Sequence, residues 1–500
     1  MIKPQMLEFT KDLALAVADF YEYSMAEANL LEEIRGMQTV FDVIERRLPT
    51  NKVVGTFEHE GVKYEKLAKR DFLINCGTEQ CLSYFLEGRG SKRLRNYMEH
   101  TQKITNPNFL DWVENIQFKG DVYGMLEGTV FFAQEHQMRV HERFEEAQMF
   151  ESLLLNTINP QTNVCTTAND IAEVVGWDKV MIEDTQEIGG RTRKILLEGG
   201  SRRGGSPQGA IFNSRAARCG GFTASSNVAY GMLHNEKVGG THGHSYVMLH
   251  PDEYSSFKAQ AKLFNGNVCF LLDTYNVKNA LEISLKVVEE EGLQNFAFRI
   301  DSGDLLAQAK YIHETMKERG YQRSDYKIVA SDDLTAAKIA RLESEGADID
   351  KYLVGTYVVN PPKPTTAVFK LAAFLQANGI WNLRGKLSEE FSKSTLPGIK
   401  QVYRISGVDG YFKRDVIAFE GEDLSSYMQI GDTVEGLLVP MILQGKQVYD
   451  CPSVDEISRN RVKQLARFKD IKNYEVIISS GISEKQREIL RQYGFHQGGK

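Results

Sequence analysis

The 500-residue chain reads as an α/β protein: an irregular (β/α) barrel with an α+β sandwich domain built from N-terminal and C-terminal segments. Three observations predict this. Short β-rich runs recur through the middle of the chain, "KVGGTHGHSYVML", "GNVCFLLDTYN", "NFAFRIDSGDL", "YKIVASDDL" and "KYLVGTYVV", each ending in polar residues able to do chemistry. With His244, Asp273, Asp301, Asp332 and Gly355 as markers, the steps are 29, 28, 31 and 23 residues. Between them lie helical patterns, "KNALEISLKVVEEEG", "DLLAQAKYIHETMKERG" and "LTAAKIARLESEG", each closed by the glycine that a helix C-terminus favours. Strand, helix, strand at this period is βαβ architecture, and five units in a row favour a barrel over a short open sheet. Outside this stretch the grammar changes to mixed helices and strands. The expected domains are residues 1–150 (N-terminal α+β), 151–360 (barrel with the catalytic site) and 361–500 (a C-terminal α+β segment packing on the other two).

Within 1–150, "LALAVADFYEYSMAEANL" reads as one amphipathic helix with Leu13, Val17, Phe20 and Tyr21 on related faces. The runs "KVVGTFEHEGVKYEKL" and "GDVYGMLEGTVFFAQEHQMRV" are β-like, and "EEAQMFESLLLNTI" is a long helix leading to "NPQTN". Residues 198–231 are rich in glycine and carry Arg202 and Arg203 side by side. Guanidinium forks grip phosphate or pyrophosphate bidentately, and glycines let the backbone approach; the same composition also describes a flexible basic loop. In a (β/α) barrel the site lies at the C-terminal strand ends, where this chain places His244, Asp273, Tyr275, Arg299, Asp301, Asp332 and Gly355. Asp304 and Asp333 read as caps of the following helices. In "RIDSGD", an arginine beside carboxylates suits a sugar-phosphate or Mg²⁺, or a plain ion pair. Gly355 and Thr356 follow the last clear strand, where barrels cradle phosphate with backbone N–H groups. "NPPKPTT" after residue 359 is a loop, and the last 95 residues carry no interpretable motif.

The formal net charge of −7 argues against a protein that coats nucleic acid or an anionic membrane. No run approaches the ~20 apolar residues of a membrane span, and the N-terminus lacks a signal-peptide shape. The six cysteines are scattered, with no Cys-x-x-Cys, so reduced thiols in a cytoplasm are expected. His242 and His244 in "GTHGHSYV" can bind a metal, carry a covalent intermediate or fill space. A zinc-dependent hydrolase barrel needs further histidines from later strands. Those strand ends supply Asp-Thr-Tyr, Arg-Ile-Asp and Ser-Asp-Asp, and His313 falls in a helical pattern, so no metal ligand is assigned. A non-catalytic sugar-phosphate binder leaves His244 beside the arginines unexplained.

From about residue 10 to residue 404 the motifs "FYEYSMAEA", "FDVIERRLP", "GDVYGMLEGTVFFAQE", "LLLNTINPQT", "SRRGGSPQG", "GGFTASSNVAYG", "GTHGHSYV", "LLDTYN", "RIDSGDL", "IVASDDL", "VGTYVV" and "KLSEEFSKSTLPGIKQVYR" occur in order. In this the chain resembles the nicotinate phosphoribosyltransferase family, within the type II phosphoribosyltransferases; nicotinamide-using relatives share the fold. The resemblance implies transfer of phosphoribosyl from phosphoribosyl pyrophosphate to nicotinate, giving nicotinate mononucleotide and pyrophosphate in NAD biosynthesis. It also implies Mg²⁺, and ATP hydrolysis coupled through a phosphohistidine at His244. Arg202, Arg203, Arg299 and Asp301 then hold substrate, pyrophosphate or ribose; Thr241, Asp273 and Ser302 line the same site. Asp332, Gly355 and Thr356 face the ribose 5-phosphate. Tyr21 stacks on the pyridine from the other subunit of a homodimer. Ser225, Ser226 and Asn227 supply hydroxyls and an amide where nicotinamide users carry an aspartate, which favours the acid. Gly199 stands where relatives usually have Phe, leaving Phe212, Phe222 or another residue as the stacking partner. His242 has no family counterpart.

Overall fold

A computed structural model describes residues 11–31, 34–59, 62–176, 187–188, 191–192, 194–263, 268–387 and 394–493. The centre of the "KLSEEFSKST" motif, 388–393, lies outside them. The chain forms two compact units, one from Met1–Pro49, Arg70–Thr162 and Pro364–Lys500, the other from Thr50–Lys69 and Asn163–Lys363. The hairpin of Lys52–His59 with Val62–Ala68 therefore groups with the second unit and not with its sequence neighbours.

The second unit carries six parallel strands in the order Ala224–Ser225, Ile195–Glu198, Lys351–Val354, Tyr326–Ala330, Phe296–Ile300, Cys269–Leu271. The crossover helices Val277–Glu291, Leu305–Glu318 and Ala336–Ser344 fall where the periodic patterns predict them. The closing residues Gly292, Gly320 and Gly346 have φ of 62°, 83° and 75°, the left-handed turn that the missing Cβ permits. Two expectations change. The run before His244 is no strand: residues 235–243 are irregular and His244–Leu249 is a short helix. Three glycines in six residues leave too few apolar side chains there to hold a buried strand. The end strands Ala224–Ser225 and Cys269–Leu271 are not paired with each other among the described residues, so the sheet is a mixed α/β array without a closed ladder.

The first unit joins distant segments. Its seven-stranded antiparallel sheet runs Trp381–Leu383, Val368–Leu375, Gln38–Ile44, His136–Arg143, Asp121–Met125, Leu438–Leu443, Lys446–Gln447. Phe41 stacks on Phe369 at 4.7 Å between ring centres, and Phe85 meets Phe118 and Phe150 at 4.6 Å. The single N-terminal helix expected from residue 13 is broken at Ala18–Asp19 into a short turn and Phe20–Asn29. The buried face belongs to Ala14, Leu15, Tyr23, Ala26 and Leu30, whereas Val17, Phe20 and Tyr21 are about half exposed. The helix expected to end at "NPQTN" instead continues through Pro160 to Val174. Proline costs a helix interior about 3 kcal/mol. Buried Leu154, Ile158, Val164, Cys165, Ala168 and Ile171 on both sides of it supply the packing that offsets this.

Arg404 is wholly buried and donates from Nε to Asp415 at 2.9 Å, from Nη2 to the Val130 carbonyl at 2.8 Å and from Nη1 to Gln464 at 2.9 Å. Removing one partner of such a pair strands a charge in low dielectric. Asp415→Ala is expected to lower the stability of this unit by about 3–5 kcal/mol, read from the midpoint of its denaturant unfolding.

Candidate active site

The carboxyl ends of the parallel strands hold two polar clusters. The first centres on His244, the first residue of its helix, with its ring about two-fifths exposed. Nδ1 lies 3.1 Å from the Thr274 hydroxyl; Nε2 lies 3.5 Å from Asp301 Oδ2 and 4.0 Å from Asp273 Oδ1. A ring with its proton on Nε2 suits this arrangement: the proton faces the Asp301 carboxylate, and the Nδ1 lone pair faces a hydroxyl. Asp273 also accepts from the Ser302 hydroxyl, and its Oδ1 is buried with no hydrogen-bond donor.

Arg299 organises this cluster. Nε donates to Ser331 Oγ at 2.8 Å, Nη1 to Thr241 Oγ1 at 3.0 Å and to the His242 carbonyl at 3.1 Å, and Nη2 pairs with Asp301 at 3.0 Å. The guanidinium thus ties two strand ends to the irregular loop that presents His244. Burial raises the Asp301 carboxyl, but hydrogen bonds and charge from Ser331, Arg299 and His244 outweigh it, leaving a net lowering that keeps it ionised. Asp304 caps its helix as expected, accepting from Ala307 N at 3.0 Å, whereas Asp333 does not cap: Thr335 does, accepting from Lys338 N. Asp332 has φ of 104°, a conformation costing a non-glycine residue roughly 1–3 kcal/mol, and its carboxylate is 3.7 Å from Lys338. Tyr275 is exposed beside the cluster.

The second cluster surrounds Glu198 at the end of Ile195–Glu198. Arg202 and Arg203 follow in a one-turn 3-10 segment, both exposed and without an acidic partner among the described residues. Gly199 N donates to Val354 O at 2.9 Å, and a Cβ on Gly355 would stand 3.4 Å from Gly199 O, so the arginine turn and the 355–356 turn adjoin. A Cβ at Gly199 would meet Leu353 Cδ1 at 2.7 Å; an aromatic there needs Leu353 to move. Phe222 is fully buried and cannot be the alternative stacking ring, while Phe212 stays half-buried. Ser225 is buried and its hydroxyl donates to Glu198 at 2.7 Å; Asn227 Oδ1 caps the helix Val228–His234 by accepting from Tyr230 N at 3.0 Å. Tyr21 belongs to the other unit, half exposed, with its hydroxyl 3.2 Å from Glu151. Thr274, Ser331 and Glu198 are the participants that sequence reasoning missed. Thr274 and Ser331 lie inside quoted motifs and Glu198 opens the glycine-rich 198–231 stretch, but a hydroxyl or carboxylate there carries no periodic signal.

The model of the nicotinate phosphoribosyltransferase (NAPRTase) N-terminal domain matches residues 17–159. The chain is 32% identical over 433 residues to a nicotinate phosphoribosyltransferase of Bacillus subtilis (strain 168), covering 85% of this chain and 80% of that one. It is 30% identical over 371 residues to nicotinate phosphoribosyltransferase pncB1 of Mycobacterium tuberculosis, covering 72% of this chain and 73% of that one. Among solved structures it resembles human nicotinic acid phosphoribosyltransferase with a TM-score of 0.73 at 21% identity, covering 94% of this chain and 99% of that one. Nicotinate-nucleotide pyrophosphorylase from Pyrococcus furiosus gives a TM-score of 0.67 at 20% identity, covering 93% and 99%.

His242 stacks obliquely on Tyr246 with its Nε2 buried and unpartnered. Burial, then the Arg299 and His244 charges, push it from 6.5 down to about 4; burial does the same to His136 and His141. A depressed histidine binds its proton more readily when unfolded, so stability is lost as pH falls from 6.5 and levels off below about 4. The expected outcome is a ring titration for His242, assigned with His242→Gln, whose NMR midpoint lies near 4; a midpoint near 6.5 would mean that the loop is not packed against Arg299.

Proposed function

The chain belongs to the nicotinate phosphoribosyltransferase family, and on that premise we propose how it works. It transfers phosphoribosyl from phosphoribosyl pyrophosphate to nicotinate, releasing pyrophosphate, and so serves NAD biosynthesis. ATP hydrolysis is coupled to the step through His244. The observation that carries the coupling is the His244 ring set between Thr274 and two carboxylates at the strand ends. With its Nε2 proton held toward Asp301, the ring attacks the terminal phosphorus of ATP through Nδ1; the P–O bond to ADP breaks and phosphohistidine forms. Its added charge of about −1.5 to −2 then changes how the site holds pyrophosphate, before water releases phosphate.

In the transfer step the pyridine nitrogen is already nucleophilic, so no base is required. The ribose C1–O bond loosens toward an oxocarbenium-like centre, and positioning with leaving-group electrostatics does the catalysis. Exposed Arg202 and Arg203 receive the pyrophosphate, and the turn at Gly355 and Thr356 offers backbone N–H groups to the 5-phosphate. The unpartnered buried Oδ1 of Asp273, close to Asp301, fits a hard divalent cation. Mg²⁺ there would neutralise phosphate oxygens. Selectivity for the acid rests on Asn227: its Oδ1 is taken by the helix cap, which leaves the amide N–H₂ as the donor for a carboxylate.

The six parallel strands are read as the wall of an irregular barrel. Exposed Met232, Leu233, Met248 and Leu249 provide an apolar surface that a second copy would cover, and exposed Tyr21 would then stack across the dimer. All six cysteines are free thiols, in keeping with a reducing cytoplasm, and no helix among the described residues is long and apolar enough to cross a membrane.

The purified protein is expected to release pyrophosphate from phosphoribosyl pyrophosphate only when nicotinate is present; release with nicotinamide alone would reverse the substrate assignment. His244→Ala should abolish nicotinate-stimulated ATP hydrolysis while leaving a slow ATP-independent transfer, measured as nucleotide formed per ATP consumed. Unchanged ATP hydrolysis would remove His244 from the coupling. Chelating Mg²⁺ should stop both reactions, and adding it back should restore them.

A further inference from the structure

The arginine turn is built on a group that the reaction above does not use. Glu198 is the last residue of its strand and has no exposed surface. Its Oε1 accepts from the backbone N–H of Gly200, the residue that starts the turn carrying Arg202 and Arg203. Its Oε2 accepts the Ser214 hydroxyl at 2.8 Å and the Ser225 hydroxyl at 2.7 Å. Its carbonyl accepts Ser226 N at 2.8 Å, and its neighbour Gly199 is bonded to Val354, directly before Gly355. One carboxylate therefore joins the arginine turn, the helix Pro207–Cys219 and the Ser225–Asn227 segment, and the backbone beside it meets the strand that leads into the 355–356 turn. Ser225 in turn accepts from Asn227 N at 3.0 Å, so the amide proposed for nicotinate hangs from the same carboxylate.

The chemistry of the carboxylate matters as much as its bulk. It is acceptor-only, and all three of its partners are donors. A glutamine of the same shape must turn its N–H₂ either toward the Gly200 N–H, donor against donor, or toward both serine hydroxyls. The backbone N–H cannot rotate away as a hydroxyl can, so the first choice is refused and the second rewires the serines. Space around the turn is also closed: a Cβ on Gly200 would lie 2.6 Å from Val359 and 3.0 Å from Glu198 Oε1. The turn can neither slide nor be filled, and its direction depends on the Gly200–carboxylate bond.

We propose that Glu198 is the positioning residue of the pyrophosphate site, aiming Arg202 and Arg203 and holding the Asn227 segment in register with them. This rests on the function proposed above and names what sets the geometry of that same site.

The test compares the wild-type chain with Glu198→Gln, each checked for native circular dichroism. Two readouts are used: calorimetric binding of inorganic pyrophosphate with Mg²⁺, and steady-state KM for phosphoribosyl pyrophosphate beside kcat. The expected result is weakening of pyrophosphate binding and a rise in that KM of about tenfold each, with kcat falling less. A merely structural residue would lower the folded fraction, and hence kcat, while affinities stay within about twofold; that result overturns the proposal. Should Glu198→Gln not fold, Ser214→Ala removes one donor far from the turn and is expected to shift pyrophosphate affinity in the same direction by about threefold; no shift overturns the proposal. Wild-type protein that binds pyrophosphate but never turns over nicotinate would sink the reaction and leave calorimetry to decide on Glu198. Wild-type protein that does not bind pyrophosphate sinks the inference itself.

Discussion

In a parallel sheet every strand delivers its carboxyl end to the same edge, and the backbone groups there lose their ladder partners. Something must satisfy them, and whatever does so also fixes where the loops go. Here two charged groups take that part. Arg299 reaches Ser331, Thr241, the His242 carbonyl and Asp301; Glu198 gathers Gly200, Ser214 and Ser225. His244 has no strand of its own to hold it. Its position is inherited from the guanidinium that clamps the two residues before Gly243. Two donated N–H bonds tie the "GGTHG" loop to it, while the third reaches Ser331.

The central repeat was legible because it is encoded locally. A helix that must stop and turn back to a parallel strand needs a left-handed residue at its end, and the glycines at 292, 320 and 346 announce it. The polar strand ends at Asp273, Asp301 and Asp332 were legible for the same reason: burial of the strand stops there and hydroxyls or carboxylates begin. What failed depended on contacts far apart in sequence. The His242–His244 run looks like the others but has no apolar ladder to join. The partners of Ser225 and Asn227 were not legible either: the first is bonded to Glu198, 27 residues earlier, and the second caps a helix with its carbonyl oxygen. The seven-stranded sheet could not be foreseen strand by strand, since Gln38–Ile44 pairs with Val368–Leu375 across more than 300 residues. Pro160 shows the reverse failure, a strong local signal overruled by burial on both of its flanks.

The arginines show why counting charges in a motif overstates binding capacity. Arg299 has four partners and is mostly buried, so its cation is compensated by Asp301 and its fork is occupied. Placing a carboxylate or phosphate on it means breaking contacts that hold the histidine loop. Arg202 and Arg203 are exposed and without an acidic partner among the described residues, Arg202 donating only to the Gly199 carbonyl at 3.3 Å, on a turn whose glycines open the backbone. Cations of equal formal charge thus divide into one that shapes the site and two that can receive an anion.

That division polarises the edge. The Ile195–Glu198 end is cationic where it meets solvent, and the Cys269–Leu271 and Phe296–Ile300 end presents Asp273 and Asp301. Two strands separate the arginine turn from Arg299, roughly 14 Å along the sheet at ~4.8 Å per strand. Pyrophosphate settles naturally at the first end. A triphosphate approaching His244 at the second meets carboxylates instead, and like charges at ~4 Å repel by about 1 kcal/mol in water and about 4 kcal/mol near a protein surface. On the proposed reaction the same carboxylates draw the Nε2 proton to their side and leave Nδ1 as the nucleophile. Removing them would ease the approach of phosphate and weaken its acceptor. On the proposed reaction, Asp273 and Asp301 would hold a divalent cation whose charge would offset this repulsion while both carboxylates stay beside the ring.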